Sequence, residues 1–123
     1  MKNTEFDIKK RTFQFALEIL LLCKQIQETD REYILTKQLI RSATSVGANI
    51  RESRSAQSKK DFIHKVSIAQ KECDETTYWI ELLLASTANY ESKLKPLHQE
   101  SEELMRILSA TIIKSKANLH ATK

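Results

Sequence analysis

The chain has 123 residues, of which 41% are hydrophobic and 29% are charged, a balance typical of a soluble globular protein of one domain. A single Gly and a single Pro leave almost no turn chemistry for a sheet of short strands. The longest apolar run, Ile19 to Cys23, is far too short to cross a bilayer, and the N-terminus lacks a signal-peptide pattern. We therefore expect a cytoplasmic protein that makes no membrane contact.

Helix 1 is predicted from about Asp7, the expected N-cap, to Glu28. Its apolar residues recur at helical spacing and predict a broad core-facing surface. That surface is made of Phe13, Ala16, Leu17, Leu20 and Cys23, and is widened by Ile19 and Ile26.

Helix 2 is predicted to begin with Thr29 or Asp30 as its cap and to run to about Ser55. Two adjacent stripes follow from its periodicity. The apolar stripe comprises Leu35, Leu39, Ala43, Val46 and Ile50, and the polar stripe comprises Gln38, Arg41, Ser45, Asn49 and Glu52. Gly47 lies between small residues with no Pro nearby, which favours close approach of another backbone over a kink.

Helix 3 is predicted from about Lys59 to Ser86, after a sequence in which Ser58 and Asp61 resemble a capping box. One apolar face is expected in the core, and a second apolar edge is expected at the contact with a second subunit. The first face comprises Phe62, Val66, Ala69, Cys73, Ile80 and Leu84, and the second edge comprises Ile68, Trp79 and Leu82.

Helix 4 is predicted with Pro96 in its first turn, followed by an apolar series of Leu97, Leu104, Leu108 and Ile112. The last residues, 117–123, are expected to fray. Four long helices with short connections predict an all-α protein, an antiparallel up-down-up-down four-helix bundle over residues 1–123.

Catalytic and metal-binding patterns are weak. A di-iron bundle needs Glu-x-x-His pairs, whereas His64 follows a single Asp61 and the other two histidines have no carboxylate three residues earlier. A phosphate-cradling Gly-rich loop is impossible with one Gly. Cys23 and Cys73 are expected as buried free thiols, the alternatives being a disulfide or a metal site. We expect no enzyme activity, catalytic residue, cofactor, metal or small-molecule substrate.

Charge is segregated along the chain. Residues 31–71 contain nine Lys and Arg and three acids, whereas residues 72–103 contain two Lys and eight acids. Basic residues of helices 2 and 3 are therefore candidates for binding nucleic acid, although ordinary solvated lysines would give the same pattern. The candidates are Lys37, Arg41, Arg51, Arg54, Lys59, Lys60 and Lys65.

The polar stripe of helix 2 has two interpretations: a functional polar site at a subunit contact, or a structural clamp between helices 2 and 3. The clamp interpretation is favoured because a half-buried Arg that holds carboxylates fixes register and partner choice. Its predicted members are Arg41, Asn49, Glu52, Glu72 and Glu75.

Several segments resemble a bacterial family known as four-helix-bundle proteins, or 23S rRNA-intervening sequence proteins. The resemblance rests on Phe6-Asp7, on Leu39-Ile-Arg-Ser-Ala-Thr-Ser-Val-Gly-Ala-Asn-Ile-Arg-Glu52, on Ser58 to Ile63, on Ile68 to Glu75 and on Tyr78-Trp79. It covers helices 1 to 3, and mild departures occur at Ser53, Ser55 and Cys73.

The resemblance implies a bundle that often assembles as a homopentamer, with some members encoded inside ribosomal RNA genes. It also implies a relation to accessory proteins of diversity-generating retroelements. We accordingly expect a homo-oligomer, a pentamer by this resemblance, that binds ribosomal RNA or another nucleic acid. The rival expectation is a protein-interaction scaffold or accessory subunit with no direct nucleic-acid contact. A small-molecule or metal-binding bundle is a third interpretation, and the missing ligand pairs argue against it.

Overall fold

The computed structural model describes residues 4–121, with side chains for residues 8–120. This part of the chain forms four helices: α1 (Thr4–Asp30), α2 (Ile34–Ser53), α3 (Lys59–Ser86) and α4 (Glu91–Ala121). Each helix packs against its neighbours in sequence, and α1 also contacts α4. Pairs between α2 and α3 run in opposite directions, as in Ser42 with Thr76 and Glu52 with Lys65, so the fold is the predicted antiparallel bundle.

The core lies along the bundle axis and draws on all four helices. Most of the apolar residues predicted for α2 and α4 are buried, including Leu39, Ile50, Leu97 and Leu108. In α3 the buried row is Ile63, Val66, Ala69, Cys73, Thr76, Ile80 and Leu83, while Phe62 and Leu84 pack at its edge.

The predicted core face of α1 is confirmed for Ile19, Cys23 and Ile26 but wrong for two of its residues. Phe13 and Leu17 are exposed, whereas Thr12, Phe15 and Leu22 are buried. Residues 13–23 are apolar on nearly every side, so periodicity alone permits two faces. The buried row, which also includes Ile8, Ile19, Cys23 and Ile26, runs the whole helix and meets the core at every turn.

The start of α2 also differs from prediction. The backbone leaves α1 at Arg31, whose φ of 56° places it in the left-handed region. Glu32 then accepts hydrogen bonds from the backbone N–H groups of Ile34, Leu35 and Thr36 at 3.0 to 3.1 Å. A carboxylate therefore satisfies the free donors of the first turn, the role predicted for Thr29 or Asp30. The helix ends at Ser53, not Ser55.

The predicted bounds of α3 are confirmed, and Ser58 Oγ accepts the backbone N–H of Asp61 at 3.0 Å. Two other terminal predictions are wrong. Helix α1 begins at Thr4, so Asp7 lies within it and is not its N-cap. Pro96 is in the second turn of α4 instead of the first, because the helix begins at Glu91. Helix α4 also continues through the predicted frayed residues to Ala121, and residues 122–123 lie outside the described part.

At Gly47 the backbone of α1 lies close to α2, as predicted. A Cβ added at Gly47 would lie 3.4 Å from the carbonyl oxygen of Thr12. We expect Gly47→Ala to remain within about 1 kcal/mol of the wild type, because helix propensity offsets the tight contact. Gly47→Leu should lower the free energy of unfolding by about 1 to 3 kcal/mol through overpacking.

Urea denaturation of these variants checks the Gly47 prediction. Ala48→Leu is a matched control on the same helix, because Ala48 is exposed. Equal stability of the two leucine variants would show that α1 and α2 can separate without cost.

Candidate nucleic-acid interface

Four cations surround the turn between α2 and α3. Arg51 and Arg54 are at the end of α2, and Lys59 and Lys60 begin α3. All four side chains are exposed. The short turn brings them to one end of the bundle, as their positions in the sequence predict.

The other two helices add cations at the same end. Because the bundle is antiparallel, the beginning of α1 and the end of α4 lie beside the α2–α3 turn. They contribute the exposed Lys9, Lys10, Lys114 and Lys116. The interpretation of the sequence missed these four residues. The available signal was the segment 104–121, which contains no Asp or Glu.

We call this set the basic end: Lys9, Lys10, Arg51, Arg54, Lys59, Lys60, Lys65, Lys114 and Lys116. Both nearby carboxylates of the described side chains on α2 and α3 already have partners. Glu52 pairs with Lys65 at 2.8 Å, and Asp61 accepts the backbone N–H of Gln57 at 3.3 Å. The hydrogen bond and charge of Glu52 raise the pKa of the Lys65 ammonium, which therefore stays protonated. An excess of positive charge remains at this end.

Two predicted nucleic-acid contacts lie elsewhere. Lys37 is in the first turn of α2, at the opposite end of the bundle. Arg41 forms ion pairs with Glu72, at 3.3 Å, and with Glu75. Its charge is thus matched by two carboxylates of α3, so Arg41 is a poor phosphate contact.

Of the predicted clamp, the structure brings together Arg41, Glu72 and Glu75, and Trp79 Nε1–H donates to Glu75 at 3.2 Å. Asn49 instead donates within its own helix to the carbonyl oxygen of Ser45 at 2.9 Å and to its hydroxyl at 3.1 Å. Glu52 pairs with Lys65, as described above. The α2–α3 seam therefore carries two separate ion-pair groups in place of one cluster of five residues.

Among the described side chains, an apolar surface on α3 and another on α1 remain uncovered in the single chain. On α3, Ile68, Trp79 and Leu82 are half-buried, and the exposed Tyr78 ring meets Trp79 edge-on at 5.0 Å. On α1, an exposed stripe comprises Phe13, Leu17 and Leu21, at 58%, 37% and 57% exposure. We call these three residues the α1 stripe. It was predicted in part as core, and its exposure is the main departure from the sequence-based interpretation.

Both thiols are buried and free. Burial is the largest cause that raises the pKa of Cys23 and of Cys73 to about 12. Within residues 8–120, no group of three His, Cys, Asp or Glu side chains is arranged to hold a metal ion.

The raised pKa values give a testable consequence. Native protein should react negligibly with a disulfide reagent at mildly alkaline pH, because the thiolate is absent, and both thiols should react after denaturation. The pKa in the unfolded chain is near 9.0, below that of the folded state. Stability should therefore be retained below pH 9 and fall as pH rises from 9 towards 12. Fast reaction of either thiol in the native state would contradict its burial.

Comparison with known proteins places the chain among bundles of similar architecture. The model of the 23S rRNA-intervening sequence protein family matches residues 4–110. One similar crystal structure is a protein of unknown function from the S23 ribosomal protein family of Bacteroides thetaiotaomicron VPI-5482. The two share 39% sequence identity with a TM-score of 0.82, covering 85% of this chain and 97% of that chain.

No curated protein sequence matches the chain significantly. None of the helices in the described part is apolar enough over a sufficient length to span a membrane.

Proposed function

Since the chain belongs to the 23S rRNA-intervening sequence protein family, we propose that it is a non-enzymatic, homo-oligomeric bundle that binds nucleic acid through its basic end. One observation carries this proposal: exposed cations from all four helices converge at one end of the bundle. Along α3 the charge changes sign away from this end, since residues 72–86 contain four acids and no Lys or Arg. Such a charge gradient favours the approach of a polyanion at the basic end.

The cations of the basic end are better suited to binding phosphate groups than to recognising a base sequence. Seven of its nine cations are lysines, whose flexible ammonium groups bind phosphate as point charges. Contacts of this kind release counterions, so the affinity should fall steeply with salt. We accordingly propose ribosomal RNA or another cytoplasmic nucleic acid as the partner, recognised mainly through its backbone.

Filter binding of ribosomal RNA fragments at two salt concentrations tests this function. We expect binding at low salt that weakens sharply at the higher concentration. If no binding occurs even at low salt, the rival function, a protein-interaction scaffold without nucleic-acid contact, is favoured. A reverse-transcriptase gene beside the gene for this chain would support the proposed relation to retroelement accessory proteins.

Oligomerisation is the second part of the proposal, and the two apolar surfaces support it. Helices α1 and α3 are not adjacent in the described structure, so they occupy diagonal corners of the bundle. The α1 stripe of one copy can pack on the α3 surface of the next, and repeated contacts of this head-to-tail type close into rings. A pentamer formed in this way would present five basic ends and gain avidity for one polyanion.

A further inference from the structure

A cavity opens within the basic end, and the proposed function does not account for it. Its volume is about 620 Å³, which falls in the range of small-ligand sites. All four helices line it, and Ile8, Ile50, Phe62 and Val66 supply apolar surface.

Among the lining residues with described side chains, the charged ones all have one sign: they are Arg54, Arg106 and Lys114. Arg106 also reaches Glu103, at 3.3 Å, on the exposed side of α4. An occupant that combines an apolar body with negative charge is therefore complementary to this lining.

Polar groups on α4 add hydrogen-bonding capacity. Thr111 donates its hydroxyl to the carbonyl oxygen of Ile107 at 2.8 Å, so its oxygen can accept from a ligand. Ser115 and Asn118 also line the cavity, and a carboxamide offers both donors and an acceptor. The edge of a nucleobase presents the same two functions.

We propose that the cavity receives an unstacked base of a bound single strand, with Arg54, Arg106 and Lys114 near the flanking phosphates. Phe62 supplies the aromatic surface on which such bases stack in single-strand-binding proteins. The inference rests on the proposed nucleic-acid function and makes it more specific: unpaired RNA or DNA binds more tightly than duplex.

The test compares a short labelled oligodeoxyadenylate with an abasic strand of equal length and phosphate number, by fluorescence anisotropy. The intact strand should bind about tenfold more tightly, the scale of one stacked base. Equal affinity overturns the cavity proposal while leaving the basic end as a phosphate site, and would favour a fatty-acid-like occupant of the cavity. Absence of binding to both strands and to an oligoriboadenylate overturns the function and this inference together. An oligoriboadenylate in the same assay shows which sugar is preferred.

Substitutions in the lining of the cavity test whether the base binds there. Ala110→Trp places a large side chain on the cavity lining without changing charge and should abolish the difference between intact and abasic strands. Ala85→Trp is the matched control, because Ala85 is also exposed and is not among the residues that line this cavity. Phe62→Leu retains apolar volume but removes the ring, and should reduce the difference about fivefold.

Thermal unfolding followed by circular dichroism verifies that each of these variants is folded. A folded Ala110→Trp protein that still discriminates intact from abasic strands would contradict the assignment of the base to this cavity.

Discussion

Replacement of three exposed cations at the basic end should weaken RNA binding about hundredfold. The variant is Arg51→Gln, Lys59→Gln and Lys60→Gln. Each lost phosphate contact should cost about 1 kcal/mol of binding free energy. Three contacts then cost about 3 kcal/mol, which corresponds to a loss of about hundredfold in affinity. The slope of log affinity against log salt should become shallower by about three, since each contact releases about one counterion. Filter binding over a series of salt concentrations measures both quantities.

The control is a second triple variant that removes the same number of positive charges at the other end of the bundle. Lys24, Lys37 and Lys95 are exposed and lie away from the basic end, so their replacement by Gln should leave the salt slope almost unchanged. This control also tests Lys37, which was a predicted contact in the sequence. If both triple variants lose affinity equally, overall charge and not the basic end determines binding.

The basic-end variant should remain folded. Lys59 and Lys60 are in the first turn of α3, where the helix dipole disfavours positive charge, so neutral Gln does not weaken the helix. Arg54 is left unchanged because it also lines the cavity.

Introduction of two carboxylates into the α1 stripe should dissociate the assembly into single chains. In Leu17→Glu with Leu21→Glu, charges would have to be buried in an apolar contact, which costs several kcal/mol per unpaired group. Both side chains are exposed in the single bundle, so the fold should survive. Light scattering should therefore give 14.2 kDa for the variant and a multiple of this mass for the wild type.

Ile34→Glu is a suitable control, because Ile34 is 78% exposed but lies at the start of α2, outside both apolar surfaces. Its assembly should remain intact. Trp79→Glu should dissociate the assembly if the α3 surface is the partner of the α1 stripe. A monomeric wild type would refute oligomerisation, and an unchanged mass for the Leu17 and Leu21 variant would refute the role of the α1 stripe.

Local sequence signals predicted much of the fold. The Ser58 cap and the bounds of α3 depend on adjacent residues, and the structure confirms them. The core rows of α2 and α4 follow from helical periodicity because each helix has one clear apolar face. Gly47 was predicted as a close approach because its neighbours are small, and its nearest contacts are backbone atoms of α1.

The candidate site was predictable only in part. Adjacency in sequence brought Arg51, Arg54, Lys59 and Lys60 together, since a short turn joins them. Lys37 was grouped with them although the length of α2 separates it from the turn. The contributions of α1 and α4 depend on the antiparallel arrangement, which places residues distant in sequence side by side.

The sequence by itself determined the four helices and their up-down order, because periodicity, capping residues and short connections act locally. Only the tertiary structure decided which side of α1 is buried. Residues 13–23 carry apolar side chains on several sides of the helix. The side that is buried is the one whose row of residues contacts the other helices along the full length of α1. Packing likewise decided which carboxylates neutralise Arg41 and where the cations gather. Ion pairing and charge clustering depend on distances between side chains of different helices. The periodicity of a single helix carries no information about those distances.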